Sequence, residues 1–538
     1  MKFICFAIFA SVFVFAQAGA QAPLPSTVTD VLAKAGVPLD NVAVVVREAG
    51  AADTRLSFNA DKPMNPASVM KLVTTYAGLE LLGPAYTWKT ELYVSGELRG
   101  SRLQGDLVFK GGGDPKLTVE RLRMLARQLR DRGLFSIHGD LVLDKTFFDT
   151  FSFDPAKFDG EPLKAYNVGP DALLMNFKTV RFFFAPALDD RAVTISPDVR
   201  PSQLEIVNRM RLTEGPCGDW REHIALDVQT PTPTQVKVTF SGRYPRSCGE
   251  SAWSLSLLDH ARFDGGVFAS IWKEAGGVWT GAVRLGPTPP DARLVATLDS
   301  APLAEAVRDI NKYSNNVMAR QLFLTLSAEA INGYGAIPPA MTTPAAAVTS
   351  ASPISPAPPE FASTPNDNAA ESAAPQSPAA APSPAPAARG SAERSAQLVR
   401  DWLRRKGIAA NELVMENGSG LSRKERISAQ TLASMLDAAW RSSVMPELVS
   451  SLSLFGVDGT FRKRSRGEPI VGQAHVKSGT LNDVRAMAGY VQDANGKRWI
   501  VVMFINHPAA LQAQAAQDAL LQWVYGGEKK PAVLSPAG

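Results

Sequence analysis

Apolar positions first recur at helical spacing. Asn65-Pro66 supplies an N-cap and a first-turn proline, Met70, Val73, Ala77 and Leu81 follow three or four residues apart, and Gly83-Pro84 stops the run. From Thr87 to about Val295 the period shortens to alternating segments separated by Gly, Pro and Asp, which predicts a mostly β region arranged as two small inserted domains. Within it Gly105-Asp106-Leu107-Val108 returns as Gly139-Asp140-Leu141-Val142, each copy opening a strand-like run. Helical patterning resumes from Leu303 to Ala330, from Glu393 to Lys406 and from Ala429 to Trp440. Two apolar strands, Ala486 to Val491 and Trp499 to Asn506, meet through the turn Asp493-Ala494-Asn495-Gly496, and a helix from Leu511 to Tyr525 closes the chain. Helices flanking a terminal antiparallel hairpin predict an α+β layer.

One segment has no period at all. Between Pro338 and Ala388 lie 13 of the 39 prolines and no Lys, Arg or Leu. Such a stretch cannot bury enough apolar surface to offset its ordering entropy, so a disordered linker or extended surface loop is expected. At the other end Lys2 precedes an apolar run from Phe3 to Phe15, too short to span a bilayer, and Ala18-Gly19-Ala20 follows. This reads as a secretory signal cut after Ala20, with no later stretch suited to a membrane anchor.

A chain of 538 residues exceeds a single core, and its net charge of +4 gives no reason to expect nucleic acid as a partner. The five histidines form no ligand spacing, so neither a zinc site nor another metal centre is expected. Export bears on the cysteines: without Cys5, the pair Cys217 and Cys248 remains, and an oxidising compartment favours a bridge between them over two buried thiols.

Three short motifs carry candidate chemistry. Ser68-Val69-Met70-Lys71 sits where the first helix opens, and a spacing of three lets the Lys71 amine reach the Ser68 hydroxyl. A serine needs a base, and a lysine serves as one only when burial and a helix N-terminus depress its pKa. Ser314-Asn315-Asn316 opens another helix; Ser314 could relay a proton and the Asn316 amide could hold a substrate backbone. Lys477-Ser478-Gly479-Thr480 leads into the terminal hairpin. There Lys477, Ser478 and Thr480 could bind a carboxylate, and Gly479 leaves room for a substrate backbone. Each motif alone is as ordinary as a helix cap or a sheet edge, but the ordered set is that of penicillin-binding proteins and class A β-lactamases.

The sequence resembles the soluble D-alanyl-D-alanine carboxypeptidases/endopeptidases of the penicillin-binding protein 4 type, peptidase family S13. The 246 residues from Ser68 to Ser314 match a family that inserts two domains there. Further matches are Gly105-Asp106-Leu107 running to Gly111-Gly112-Gly113-Asp114-Pro115, and Asn417-Gly418-Ser419-Gly420-Leu421-Ser422-Arg423. The resemblance implies a penicillin-binding, serine β-lactamase-like transpeptidase domain with two mainly β domains inserted after the nucleophile helix. Its parts are a signal (1–20), catalytic segments at 21–94, 296–335 and 391–538, inserts at 95–295, and the linker at 336–390. It also brings Ser419, Gly420, Leu421 and Arg423 to the cleft, with Arg423 free for a carboxylate, and suggests Glu161 or Asp159 as the acid that recognises a diamino-acid side chain.

The sequence departs from the family pattern at Ser478, where many relatives have Thr, at Arg320, where an acid is common, and in the linker. The expectation is an exported, periplasmic DD-peptidase acting on peptidoglycan stem peptides and acylated by β-lactams, without a cofactor. Ser68 would attack and Lys71 accept its proton. Ser314 and Lys477 would protonate the leaving amine, with the N–H groups of Ser68 and Thr480 around the oxyanion. A β-lactamase, or a non-catalytic peptidoglycan-binding protein, are the alternative readings.

Overall fold

The computed structural model describes residues 23–331 and 389–526, except 52, 150, 151, 233, 465 and 466. The expected signal and the Pro338 to Ala388 segment lie outside the described residues.

A six-stranded antiparallel sheet forms the base of the molecule. Its order is Ser453–Leu454, Ala474–Leu481, Val484–Gln492, Arg498–Asn506, Val42–Glu48 and Thr54–Phe58. The terminal hairpin is therefore extended by a strand from the opposite end of the chain, Val42–Glu48, which the sequence reading did not single out. This strand is apolar on consecutive positions because both of its faces are covered: Ala43 and Val45 join one core, Val42, Val44 and Val46 the other. Helices Ser26–Lys34 and Gln514–Gly526 pack on the second face.

On the first face lies the helical layer. Helix Lys71–Leu82 is buried almost all round, so the stripe Met70, Val73, Ala77, Leu81 is only part of its apolar surface. Gly78 lets Leu322 of helix Asn316–Ile331 approach to 3.0 Å of where a Cβ would stand. The periodic stretch from Leu303 is two helices, Leu303–Tyr313 and Asn316–Ile331, broken at Ser314 by a left-handed residue (φ 56°, ψ 37°). Helices Ala392–Arg405 and Ala429–Trp440 complete the layer.

The region between the nucleophile helix and Leu303 folds around one shared core. A seven-stranded sheet has Arg293–Asp299 at one edge beside Lys89–Arg99, and two three-stranded sheets are built from residues 180–255. It is less purely β than the short alternating segments predict, since helices Val119–Asp131 and His260–Glu274 cover it. The echoed tetrapeptides lie side by side as parallel strands, Leu107 opposite Leu141 and Val108 opposite Val142. A Cβ on Gly139 would stand 2.2 Å from the Gly105 carbonyl, so the copies are small where the chains touch. Cys217 and Cys248 are joined in a disulfide within this region.

Candidate active site

The nucleophile turn is built by local strain held from several sides. The Asn65 side-chain carbonyl accepts from the Ala67 N–H at 2.8 Å, as an N-cap does. Ala67 then takes a left-handed conformation (φ 45°), and Ser68 follows on a 3₁₀ turn, Ala67–Met70, before the α-helix begins at Lys71. Left-handed non-glycine residues persist only where surroundings over-determine them. Here Asn65 is clamped: its N–H donates to Asn506 Oδ1 (2.7 Å), its carbonyl accepts from Asn506 Nδ2 (3.0 Å), and its own Nδ2 donates to the Ser422 carbonyl (2.9 Å). Asn506, at the far end of the chain, has no motif to reveal it in sequence.

Two glycines close on the same turn. A Cβ on Gly420 (φ 77°) would stand 1.9 Å from the Ala67 carbonyl oxygen, and one on Gly479 would stand 2.5 Å from that of Pro66. Gly418 (φ 68°) likewise lies against Phe323. Where a side chain would stand on each of these glycines, the space is filled by the protein itself.

Lys71 is fully buried, and its Nζ has three neighbours: Ser68 Oγ at 2.9 Å, Asn316 Oδ1 at 2.7 Å and the Ser419 carbonyl at 2.5 Å. The last two atoms only accept, so Lys71 donates an N–H to each. The remaining tetrahedral position faces the Ser68 hydroxyl. Burial, then the positive charges of Lys477 and Arg320, hold the Lys71 amine well below its ordinary range, partly opposed by Glu425. A neutral amine in this setting directs its lone pair at Ser68.

The second pair is Ser314 and Lys477. Lys477 is fully buried on strand Ala474–Leu481, and its Nζ donates to Ser314 Oγ (2.8 Å) and to the Ser478 carbonyl (2.7 Å). Burial lowers its pKa to about 7. Ser314 is half-buried because the left-handed break between two helices turns it out of the helical layer.

The other expected site residues are placed as follows. Asn316 has both ends of its amide engaged by the protein, Oδ1 by Lys71 and Nδ2 on the Tyr166 carbonyl (3.1 Å), with a second Nδ2 hydrogen beyond these two bonds. Ser419 serves through its carbonyl, while its hydroxyl donates to Asn417 (2.7 Å). Leu421 packs on the helical core. Arg423, expected free for a ligand carboxylate, is ion-paired with Asp483 at 2.5 Å and lies over Phe158. Ser478 Oγ is 2.9 Å from Thr460 Oγ1, and exposed Thr480 accepts from Arg485 (3.0 Å). Asp159 accepts from the Tyr166 hydroxyl (2.8 Å) and Asn167 (2.7 Å), whereas the exposed Glu161 carboxylate has no partner among the described residues. Tyr166 and Thr460 were not legible as site residues, since neither belongs to a motif.

The chain is similar to known proteins over most of its length. Residues 24–351 and 380–525 match the family described as D-Ala-D-Ala carboxypeptidase 3 (S13). The chain belongs to the S13 family. The interval between the matched stretches falls inside the Pro/Ala-rich segment. A D-alanyl-D-alanine carboxypeptidase of Actinomadura sp. (strain R39) is 25% identical over 507 residues, 91% of this chain and 82% of that protein. The carboxypeptidase DacB of Haemophilus influenzae is 22% identical over 470 residues, 87% of this chain and 85% of its own length. The crystal structure of penicillin binding protein 4 from Haemophilus influenzae superposes with a TM-score of 0.65 at 21% identity, covering 92% of this chain and 99% of that one. That likeness shows the S13 fold: an α+β catalytic layer with inserted β sheets.

Proposed function

We propose that this S13 enzyme, a serine D-Ala-D-Ala carboxypeptidase, works by an acyl-enzyme on Ser68 and is exported to act on peptidoglycan stem peptides. The observation that carries the reading is the arrangement around Lys71, in which two obligatory acceptors leave one position of a depressed amine facing Ser68. Ser68 Oγ attacks the carbonyl of the penultimate D-alanine as Lys71 takes its proton, and the N–H groups of Ser68 and Thr480 stabilise the oxyanion. Lys477 and Ser314 pass a proton to the leaving amine, and water hydrolyses the ester.

β-Lactams acylate the same serine. The apolar run ending at Phe15 and the bridged cysteines support export to the periplasm. A second activity, cleavage of cross-links to a diamino acid, is favoured by Glu161: its unpaired carboxylate lies five residues before Tyr166, whose carbonyl holds Asn316. Incubation with benzylpenicillin followed by intact mass and peptide mapping tests the mechanism, with a single adduct on Ser68 expected. An adduct on Ser314, or none, would overturn it. Release of monomers from a cross-linked muropeptide dimer, reduced by Glu161→Gln, tests the second activity.

A further inference from the structure

Two buried charges behind Lys71 take no part in the steps above. Arg320 lies one helical turn beyond Asn316, on the same face of helix Asn316–Ile331. Asn316 Nδ2 donates to the Tyr166 carbonyl, and Arg320 Nη1 donates to that of Val168 at 2.7 Å. The guanidinium is buried over Phe153, and its Nε has no partner. Glu425 is fully buried. Its Oε1 accepts the N–H groups of Glu416 (3.3 Å) and Asn417 (3.2 Å), which precede the Gly418 and Ser419 carbonyls that hold Thr74 and Lys71. Its Oε2 has no partner.

Arg320 and Glu425 do not bond one another, since Glu425 is held by backbone N–H groups and the Arg320 Nε has no partner, although the Glu425 charge favours the Arg320 cation. Both act on Lys71, in opposite senses. Leaving two charges buried without full hydrogen bonding is costly, and sequence motifs give no reason for either.

We propose that Glu425 and Arg320 are positioning residues, an opposed pair of charges built into the wall behind Lys71 that together decide when its amine is free to take the Ser68 proton. The proposal rests on Lys71 being the base. A lysine between burial and a second lysine is readily neutralised, but one depressed too far is a poor base, and the best compromise lies near the working pH. Arg320 adds to the effect of Lys477 from the helix side, and Glu425 moderates both from the loop. The charged groups facing Lys71 are Lys477 on its strand, Arg320 on its helix and Glu425 on its loop; Glu425 and then Glu416 act on Arg320, and Glu416 acts on Glu425. Burial pushes the Glu425 carboxyl up to about 7, so the proton gained at low pH belongs to the pair.

The test is the acylation rate of the full chain by benzylpenicillin from about pH 5 to 10, which rises with pH as Lys71 loses its proton. Glu425→Gln keeps the Oε1 acceptor and removes a charge that holds the proton, so the acid limb moves to lower pH, by roughly one unit. Arg320→Gln removes a charge that repels the proton, so the limb moves to higher pH by a similar amount. The double variant returns near wild type, and Arg320→Lys leaves the limb in place. A packing role alone would lower the rate at every pH without moving the limb, and that result overturns the proposal. Should Arg320→Gln not fold, the shift in Glu425→Gln against the unmoved Arg320→Lys decides. Wild type that is never acylated on Ser68 refutes the mechanism instead; wild type acylated normally, with variants whose limbs stay put, refutes only this inference.

Discussion

At the scale of single residues, the site is two buried amines used in different ways. Lys71 is defined by its acceptors: with two N–H groups committed to Asn316 and Ser419, its third position faces Ser68. Lys71→Arg keeps the charge but stays protonated at any working pH. Benzylpenicillin acylation of that variant is expected to fall by at least ~10²-fold, the lower range for losing a general base. Lys477 also affects stability. Its folded pKa, lowered by burial to about 7, lies below that of an unfolded lysine near 10.4, so between those values the unfolded chain binds the extra proton. The penalty for burying this lysine is therefore full below about pH 7 and fades as pH rises towards 10.4. Lys477→Met should resist urea relative to wild type more at pH 6 than at pH 10; a gain independent of pH would show that Lys477 enters the folded protein without this cost.

Elements bring these residues together by close contact between turns. The left-handed Ala67 is gripped between Gly420 and Gly479, so a methyl group on either pushes directly on the backbone that carries Ser68. A displacement near 1 Å at a reacting group costs ~10²-fold in rate. Gly420→Ala is expected to lose acylation on that scale. Gly36→Ala, which shares the positive φ but meets nothing within 4 Å, should cost only ~1–2 kcal/mol of stability and leave acylation unchanged. The disulfide belongs to a different element. Cys217 and Cys248 pack on the core of the inserted region, apart from the cores that hold the nucleophile helix. Changing both to serine should lower unfolding free energy by roughly 2–4 kcal/mol while benzylpenicillin still acylates the folded protein. Loss of acylation in a folded double variant would mean that the insert shapes the catalytic cleft through this bridge.

Over the whole molecule, the catalytic layer is assembled from distant pieces of chain. Strand Val42–Glu48 pairs with Arg498–Asn506, and Asn65 is clamped by Asn506, so the nucleophile turn depends on residues more than 400 positions away. Between helices Asn316–Ile331 and Ala392–Arg405 the chain crosses the Pro/Ala-rich segment, yet Ser327 of the first still bonds Ser391 and Ser395 at the start of the second. The two sides of the segment thus meet directly. Deleting Pro338 to Ala388 is expected to leave the melting temperature and the acylation rate close to wild type, by calorimetry and stopped-flow measurement. A marked drop in melting temperature would show that those residues pack on the core.

What the sequence determined by itself is local or ordinal. The caps and stops of the nucleophile helix, the hairpin at Asp493 to Gly496 and the order of the three motifs depend on near neighbours, and near neighbours are what spacing records. The echo of Gly105 to Val108 at Gly139 to Val142 was visible for the same reason. That the two copies lie side by side as parallel strands was not, because pairing is a long-range choice. Tertiary structure alone decided which side chains are spent on the protein. Arg423 meets Asp483, the Asn316 amide bonds the Tyr166 carbonyl, and Gly420 and Gly479 face the nucleophile turn. It alone placed Glu425 and Arg320 behind Lys71. A charge seen in sequence reads as solvated surface, and only burial by distant segments removes the water that would have screened it.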